Sequence, residues 1–248
     1  MNIMGIRIDN WCRIEALGKV GAFIVDKKQH MIFTPNPEML VDTQKDGYFR
    51  EVLNKADLNI CDGKGIQLVS KEKLERIPGS DFMIDICSFA EQNKYSVFFL
   101  GSRSRAVTEK LTKNVQDKFR TLKIVGSHQG LSITKLADGQ ISYNKDENNE
   151  LVAEIVMARP DILFVAFGHG KQEKWIYENL TDMPSVKIAM GVGGAFDYIS
   201  GSKKRAPSWM RSLGMEWFFR LLYEPKRVGR IWKATFIFLF INIFKKAS

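Results

Sequence analysis

From Tyr95 onward, short apolar runs without polar interruption alternate with longer stretches in which apolar residues recur every third or fourth position. The runs Tyr95–Gly101 (YSVFFLG), Leu122–Gly126 (LKIVG), Asp161–Gly168 (DILFVAFG) and Val186–Gly191 (VKIAMG) predict buried strands. Ser104–Phe119 predicts a helix with Val107, Leu111, Val115 and Phe119 on one stripe, and Glu147–Ala158 and Lys171–Leu180 predict two more. Strands apolar on both faces, alternating with helices, predict a largely parallel, Rossmann-like sheet covered on both sides. Ligands in such sheets sit beyond the carboxyl ends of the strands, here the loops after Gly101, Gly126, Gly168 and Gly191.

Upstream the pattern is weaker. Ile3–Ile8 and Met31–Thr34 predict short strands, with a helix over Cys12–Lys27 between them. Leu58–Cys61 predicts a strand and Ile66–Val69 the start of a helix. The polar Glu72–Arg76 stretch with Pro78 and Gly79 predicts a mobile loop. No linker separates a second domain before residue 201, so residues 1–201 are expected to form one α/β catalytic domain and 202–248 an appendage.

Charge sharpens that division. Of 37 Lys and Arg and 28 Asp and Glu, residues 202–248 hold eleven bases and only two acids, Glu216 and Glu224. The whole +9 excess therefore lies in the tail, and an anionic partner is expected there. The tail carries Trp209, Trp217 and Trp232, three of five tryptophans, and the run Ala234–Phe244 (ATFIFLFINIF) before Lys245 and Lys246. Eleven apolar residues are too few to span a bilayer, which takes roughly 20. Aromatic bulk mixed with Lys and Arg predicts a segment lying on an anionic membrane surface rather than a nucleic-acid arm, which would be polar. The alternative is a core helix that comes last. The three cysteines, Cys12, Cys61 and Cys87, show no paired spacing, which argues against a disulfide framework or zinc site and fits a reducing, cytosolic setting. The start, MNIMGIRIDNW, lacks the basic-then-apolar pattern of a leader.

Several short stretches carry candidate chemistry. In FTPNPEML, Thr34 and Asn36 are small hydrogen-bonding groups in a turn stiffened by two prolines; either they face a ligand or Asn36 or Thr34 caps the helix near Glu38. In NICDGKG, Asp62 stands at a strand end, as a ligand-facing carboxylate or as a helix cap, and Gly63 and Gly65 would let a substrate approach the backbone. In RIPGSD, Arg76 could grip a phosphate and Asp81 could cap the helix Phe82–Gln92, or the stretch is a surface loop. FGHGKQEKW offers a glycine turn at Gly168 before a helix start, with Lys171 and Gln172 as side-chain donors to an anion; His169 has no visible partner and is not assigned as a base. GVGGAFD places Gly191, Gly193 and Gly194 where a diphosphate could meet the backbone, with Asp197 just beyond. The dinucleotide GxGxxG pattern, a Walker A loop and a DxD carboxylate pair are all absent, which argues against an NAD enzyme, a P-loop kinase and a manganese-clamped transferase. Diphosphate charge would be met by helix N-termini, Arg, Lys and Gln.

Together these stretches resemble the WecG/TagA/CpsF glycosyltransferase family. The matches run in order through nearly the whole chain: TPNPE (34–38), DGKG (62–65), RIPGSD (76–81), FLG (99–101), FGHGKQEKW (167–175), GVGGAFD (191–197), KRAPSWMRSLGMEW (204–217) and RLLYEPKR (220–227). The resemblance implies a Rossmann-like core of the GT-E type. It implies inverting, metal-independent transfer of N-acetylmannosamine, or its uronic acid, from a UDP-sugar to GlcNAc on undecaprenyl diphosphate. It further implies a bacterial peripheral enzyme of the cytoplasmic membrane face that self-associates through its core. By residue, it implies that Asp62 is the general base, that Thr34 and Asn36 lie near the reacting sugars, and that Arg76 and Gln172 contact substrate or diphosphate. Arg205, Arg211, Arg220, Arg227 and Arg230, with Trp209, Trp217 and Trp232, are expected to meet the lipid diphosphate and the membrane. The family's usual Pro before KQE is Gly170 here, preceded by His169, which puts the rigidity of that turn in question. Two other readings of the residues stand beside this one: another nucleotide-sugar-binding enzyme of the same fold, and a basic nucleic-acid-binding protein.

Overall fold

The computed structural model describes residues 1–70, 73–212, 215–223, 228–238 and 240–241. The chain opens with a small antiparallel hairpin, β1 (Asn2–Ile3) and β2 (Ile6–Arg7), rather than one strand, because Met4 and Gly5 turn it at φ 54° and 83°. Helix α1 (Arg13–Val25) is followed by β3 (His30–Phe33), α2 (Pro37–Asp42), α3 (Gly47–Lys55), β4 (Leu58–Asn59), α4 (Lys64–Val69) and α5 (Gly79–Asn93). Next come β5 (Ser96–Gly101), α6 (Arg105–Lys118), β6 (Lys123–His128), a hairpin of β7 (Thr134–Lys135) and β8 (Ile141–Ser142), and α7 (Lys145–Ala158). The core closes with β9 (Ile162–Ala166), α8 (Gln172–Asn179), β10 (Ile188–Gly191) and α9 (Ala195–Ile199). In the tail lie α10 (Ser208–Ser212), α11 (Glu216–Tyr223) and α12 (Val228–Trp232), the last running into a π-helical turn, Lys233–Ile237.

Six strands form one parallel sheet in the order β4-β3-β10-β9-β5-β6. Because side chains alternate along a strand, β5 sends Val97 and Phe99 to one face and Phe98 and Leu100 to the other. The first face buries Ile162, Phe164, Ile188 and Met190 under α1, α5, α6 and α9. The second buries Phe33, Leu163, Val165 and Ala189 under α2, α3, α7 and α8. The expected α/β sheet with helices on both faces is the fold observed.

Two predicted details change. Strand β6 runs through Gly126 to His128, so no loop follows Gly126; a Cβ there would come within 2.4 Å of the Phe98 ring, and glycine lets the strand pack over it. As the sheet edge, β6 is half-exposed rather than buried. Helix α3 and the β7–β8 hairpin had no counterpart in the sequence pattern. They are joined by the fully buried Lys174, whose Nζ lies 2.6 Å from Asp46 Oδ2 and donates to the Gly139 carbonyl.

The tail is fastened to the body. Asp81 accepts from Arg205 at 2.6 Å and lies 3.6 Å from Arg211, while Arg76 donates to the Arg211 carbonyl at 2.9 Å and to Glu216 at 3.1 Å. The π-helical turn packs on α2, and Phe238 is fully buried in the core beside Gly65. Trp209, Trp217, Trp232, Phe236 and Phe240 stay exposed. Among the described residues no helix is long and apolar enough to cross a membrane.

Gly101 ends β5 at φ 129°, and a Cβ there would stand 2.7 Å from the Ala166 carbonyl carbon. Gly101→Ala should destabilise the protein by about 1–3 kcal/mol in chemical denaturation, because rigid backbone meets the added methyl. An unchanged midpoint would show that β5 and β9 can part at no cost.

Candidate functional site

The carboxyl ends of β3, β4, β5, β9 and β10 open into one cleft of about 310 Å³. Thr34 and Asn36 enter it after β3, Asp62 after β4, Ser102 and Arg103 after β5, Ala166 to His169 after β9, and Val192 to Ala195 after β10. Gln172 from α8, Ser80 from α5, Phe196, Asp197 and Tyr198 from α9, and Lys203 complete the wall with Met39. A parallel sheet delivers these groups to the same edge, as the crevice rule requires.

The turn after β3 serves both roles left open by its sequence. Asn36 caps α2 by accepting from Met39 N at 3.1 Å and also lines the cleft. The N-cap position of α4 is Gly63 rather than Asp62; the Asp62 backbone N–H donates to the Pro35 carbonyl at 3.1 Å, and Asp62 lines the cleft. Gly63 and Gly65 are not openings for a substrate. A Cβ at Gly63 would lie 2.3 Å from Pro37 Cδ and one at Gly65 2.9 Å from Pro37 Cγ. Their missing side chains seat the proline turn against the Asp62 loop and so bring Asn36 and Asp62 together.

The turn between β9 and α8 is held by groups that look like surface residues in the sequence. Gly168 and Gly170 take φ 84° and 74°, conformations open to glycine. Gln172, 2% exposed, accepts from the Gly193 N–H at 3.0 Å and donates to Glu173 at 2.8 Å. It thereby ties the β9 and β10 loops together, and Gly191 is needed because a Cβ would meet the Gln172 amide at 2.9 Å. Glu173, fully buried, accepts from the Gly170 N–H at 2.6 Å, and burial pushes its carboxyl pKa up against these hydrogen bonds. Lys171 donates to the Ile133 carbonyl rather than pointing at a ligand. His169 does have partners: its Nε2 lies 2.9 Å from Asp42 and 3.9 Å from Glu38, both more than a hundred residues away in sequence. Glu38, Asp42 and His169 offer ligand atoms within 4.8 Å of one another, the one such group among the described residues that could hold a metal.

Of the sequence candidates, Thr34, Asn36, Asp62, Gly168, Gln172, Gly193, Gly194 and Asp197 line the cleft. Gly63, Gly65, Arg76, Asp81, Gly101, Lys171 and Gly191 do not; they pack the loops or hold the tail. Arg205 and Arg211 pair with Asp81. Arg227 lies outside the described residues, as do the side chains of Arg220 and Arg230. Sequence reasoning missed Ser80, Ser102, Arg103, Tyr198 and Lys203. Arg103 follows an apolar strand ending in glycine, a signal that marked the loop without marking the residue.

The sequence profile described as the Glycosyl transferase WecG/TagA/CpsF family matches residues 1–248. A relative from Staphylococcus aureus (strain MRSA252), named N-acetylglucosaminyldiphosphoundecaprenol N-acetyl-beta-D-mannosaminyltransferase, is 30% identical over 246 residues, covering 97% of this chain and 91% of the relative. Relatives of the same name from strains NCTC 8325 / PS 47 and COL match with the same identity and coverage.

The raised Glu173 pKa has a defined sign. The folded protein holds this proton above the usual carboxylate range, where the unfolded chain has released it, so stability falls as pH rises above about 4.5. Glu173→Gln should flatten that part of the stability–pH curve; an unaltered slope would mean that other groups set it.

Proposed function

The chain belongs to the WecG/TagA/CpsF glycosyltransferase family, and on that footing we propose that it moves N-acetylmannosamine or a related sugar from UDP to GlcNAc carried on a polyprenyl diphosphate. That it is a glycosyltransferase follows from the family and from relatives named N-acetyl-beta-D-mannosaminyltransferases. The observation that supports the assignment of roles is the meeting of Asp62 with the glycine loops in one cleft. Inverting transfer needs a base on the acceptor side and charge stabilisation on the leaving side. In the proposed step the acceptor hydroxyl oxygen attacks the anomeric carbon, and its proton passes to Asp62. The bond from that carbon to the diphosphate oxygen breaks, and its electron pair leaves with UDP. Backbone N–H groups of Gly168 and Gly194 and the cleft cations would hold the departing charge without a metal. Thr34 and Asn36 would orient the reacting sugars.

The tail is proposed to bring this cleft to a lipid-borne acceptor as a peripheral protein on the cytoplasmic face of a bacterial membrane. Trp209, Trp217 and Trp232 are 59%, 46% and 56% exposed, as interfacial anchors would be. Arg205 and Arg211, held by Asp81, and Arg76, held by Glu216, would keep the tail against the body beside the cleft. Self-association through the core, implied by the resemblance, belongs to the same proposal.

Asp62→Asn should lower transfer roughly 100- to 10,000-fold while UDP binding persists. The measurement is turnover with synthetic GlcNAc diphospholipid, run with and without EDTA. Normal turnover by Asp62→Asn would remove Asp62 as base. Loss of wild-type activity in EDTA, restored by manganese, would replace the metal-free step and point to Glu38, Asp42 and His169. Changing Trp209, Trp217 and Trp232 together to Ser should release the protein from anionic vesicles in a flotation assay; undiminished flotation would contradict the docking role of the tail.

A further inference from the structure

Among the described residues, five other than glycine hold a positive φ. Met4 turns the first hairpin, and Lys94 and Arg159 are the C-caps of α5 and α7, where left-handed backbone is common. Ser102 and Arg103 are different. At φ 73° and 56° they are consecutive, and they make the turn between β5 and the α6 N-cap Ser104 with two non-glycine residues in the left-handed region. L side chains in this region cost free energy, and such strain persists where the surroundings over-determine it. Here they do: Ser102 N donates to the Ala166 carbonyl at 3.1 Å, Arg103 N to the Gln129 carbonyl at 2.9 Å, and Ser102 Oγ lies 3.1 Å from Thr108 Oγ1. The strained pair places Arg103 in the wall of the cleft.

The charges around the cleft single out the same residue. Lys203 lies 3.1 Å from Asp197 and His169 lies 2.9 Å from Asp42, so each is matched by a carboxylate. The exposed Arg103 guanidinium makes no ion pair with any described carboxylate. Its charge instead acts on Lys171, whose pKa is lowered first by burial and then by Arg103 and Lys135. A cation held beside other cations, on a strained backbone, is arranged for an incoming anion. A guanidinium fork matches the paired oxygens of a phosphate.

We propose that Arg103 binds the diphosphate of the nucleotide-sugar donor and steadies it as it leaves. This rests on the reading of the cleft as a donor site. A lipid diphosphate offers the same oxygens, so the test separates the two sources.

The full-length protein, as wild type and as Arg103→Gln, Arg103→Lys and Arg103→Gly, is titrated with UDP, inorganic pyrophosphate and uridine, with Tm recorded for each. Arg103→Gln and Arg103→Gly should weaken UDP and pyrophosphate about tenfold or more, the loss of one charge-assisted contact, and leave uridine unchanged. Arg103→Lys should fall between. Arg103→Gly should keep or raise Tm, because glycine takes the left-handed backbone without strain. In turnover, KM for the donor should rise and KM for the lipid acceptor stay fixed. Unchanged UDP affinity in Arg103→Gln, a rise confined to the acceptor KM, or a Tm loss in Arg103→Gly with uridine binding lost as well, would each overturn the proposal. Wild-type protein that binds UDP no better than pyrophosphate would sink the nucleotide reading, while Arg103-dependent pyrophosphate binding would leave the anion site standing.

Discussion

Every chain leaving a parallel sheet must cross to the far side before the next strand can start, so strand ends of one polarity collect along one edge. In this protein β3, β4, β5, β9 and β10 all finish at that edge, in register across paired residues such as Met190 with Ile32 and Phe164. The cleft is what lies between those ends. Its carboxylate comes from β4, its polar turn from β3, its strained arginine from β5 and its glycine N–H groups from β9 and β10. None of these groups is near another in sequence. The apolar layers on both faces fix the sheet, and the sheet fixes the chemistry.

Glycine supplies much of the precision, by permitting contact between structural pieces more than contact with a ligand. Gly63 and Gly65 accept Pro37, Gly191 accepts Gln172, and Gly101 accepts the Ala166 backbone. Each is a place where a methyl group would push two cleft-forming loops apart. Gly168 and Gly193 have open space where a Cβ would stand, and these two line the cleft. Buried polar groups do the rest. Gln172 and Glu173 hold the β9 turn from inside, and His169 ties it to α2 through Asp42. That tie supplies an anchor on a turn flanked by Gly168 and Gly170, where the resemblance leads one to expect the stiffness of a proline.

The tail is coupled to the same parts. Asp81 and Arg76 flank the start of α5, whose Ser80 lines the cleft, and both hold tail residues. Phe238 packs beside Gly65, and the π-helical turn packs on α2, whose N-cap is Asn36. A change in how the tail sits on the body would therefore reach the loops that carry Asn36 and Asp62. This gives physical content to the pairing of a glycine-lined cleft with a basic aromatic segment in one chain.

The sequence by itself determined the α/β class, most strand and helix positions, the polarity rule that places the cleft, and the separate character of the basic, aromatic tail. These are local or cumulative properties: periodicity, apolar runs, glycine at strand ends, and charge summed over a window. Asp62 and Asn36 were legible because strand-end position is itself a local signal. What the sequence left undecided were pair relations. Whether Gly63 met a ligand or Pro37, whether Arg76 faced a phosphate or Glu216, and whether His169 had a partner depended on residues up to 140 positions apart. The polar run KQEK offers donors to an anion when read from the sequence, yet Gln172, Glu173 and Lys174 are buried, because partners from α3, the β7–β8 hairpin and the β10 loop satisfy them. Arg103 carries no sequence mark at all. Its place in the cleft wall was decided by the left-handed turn after β5, which the Ala166 and Gln129 carbonyls hold from across the fold.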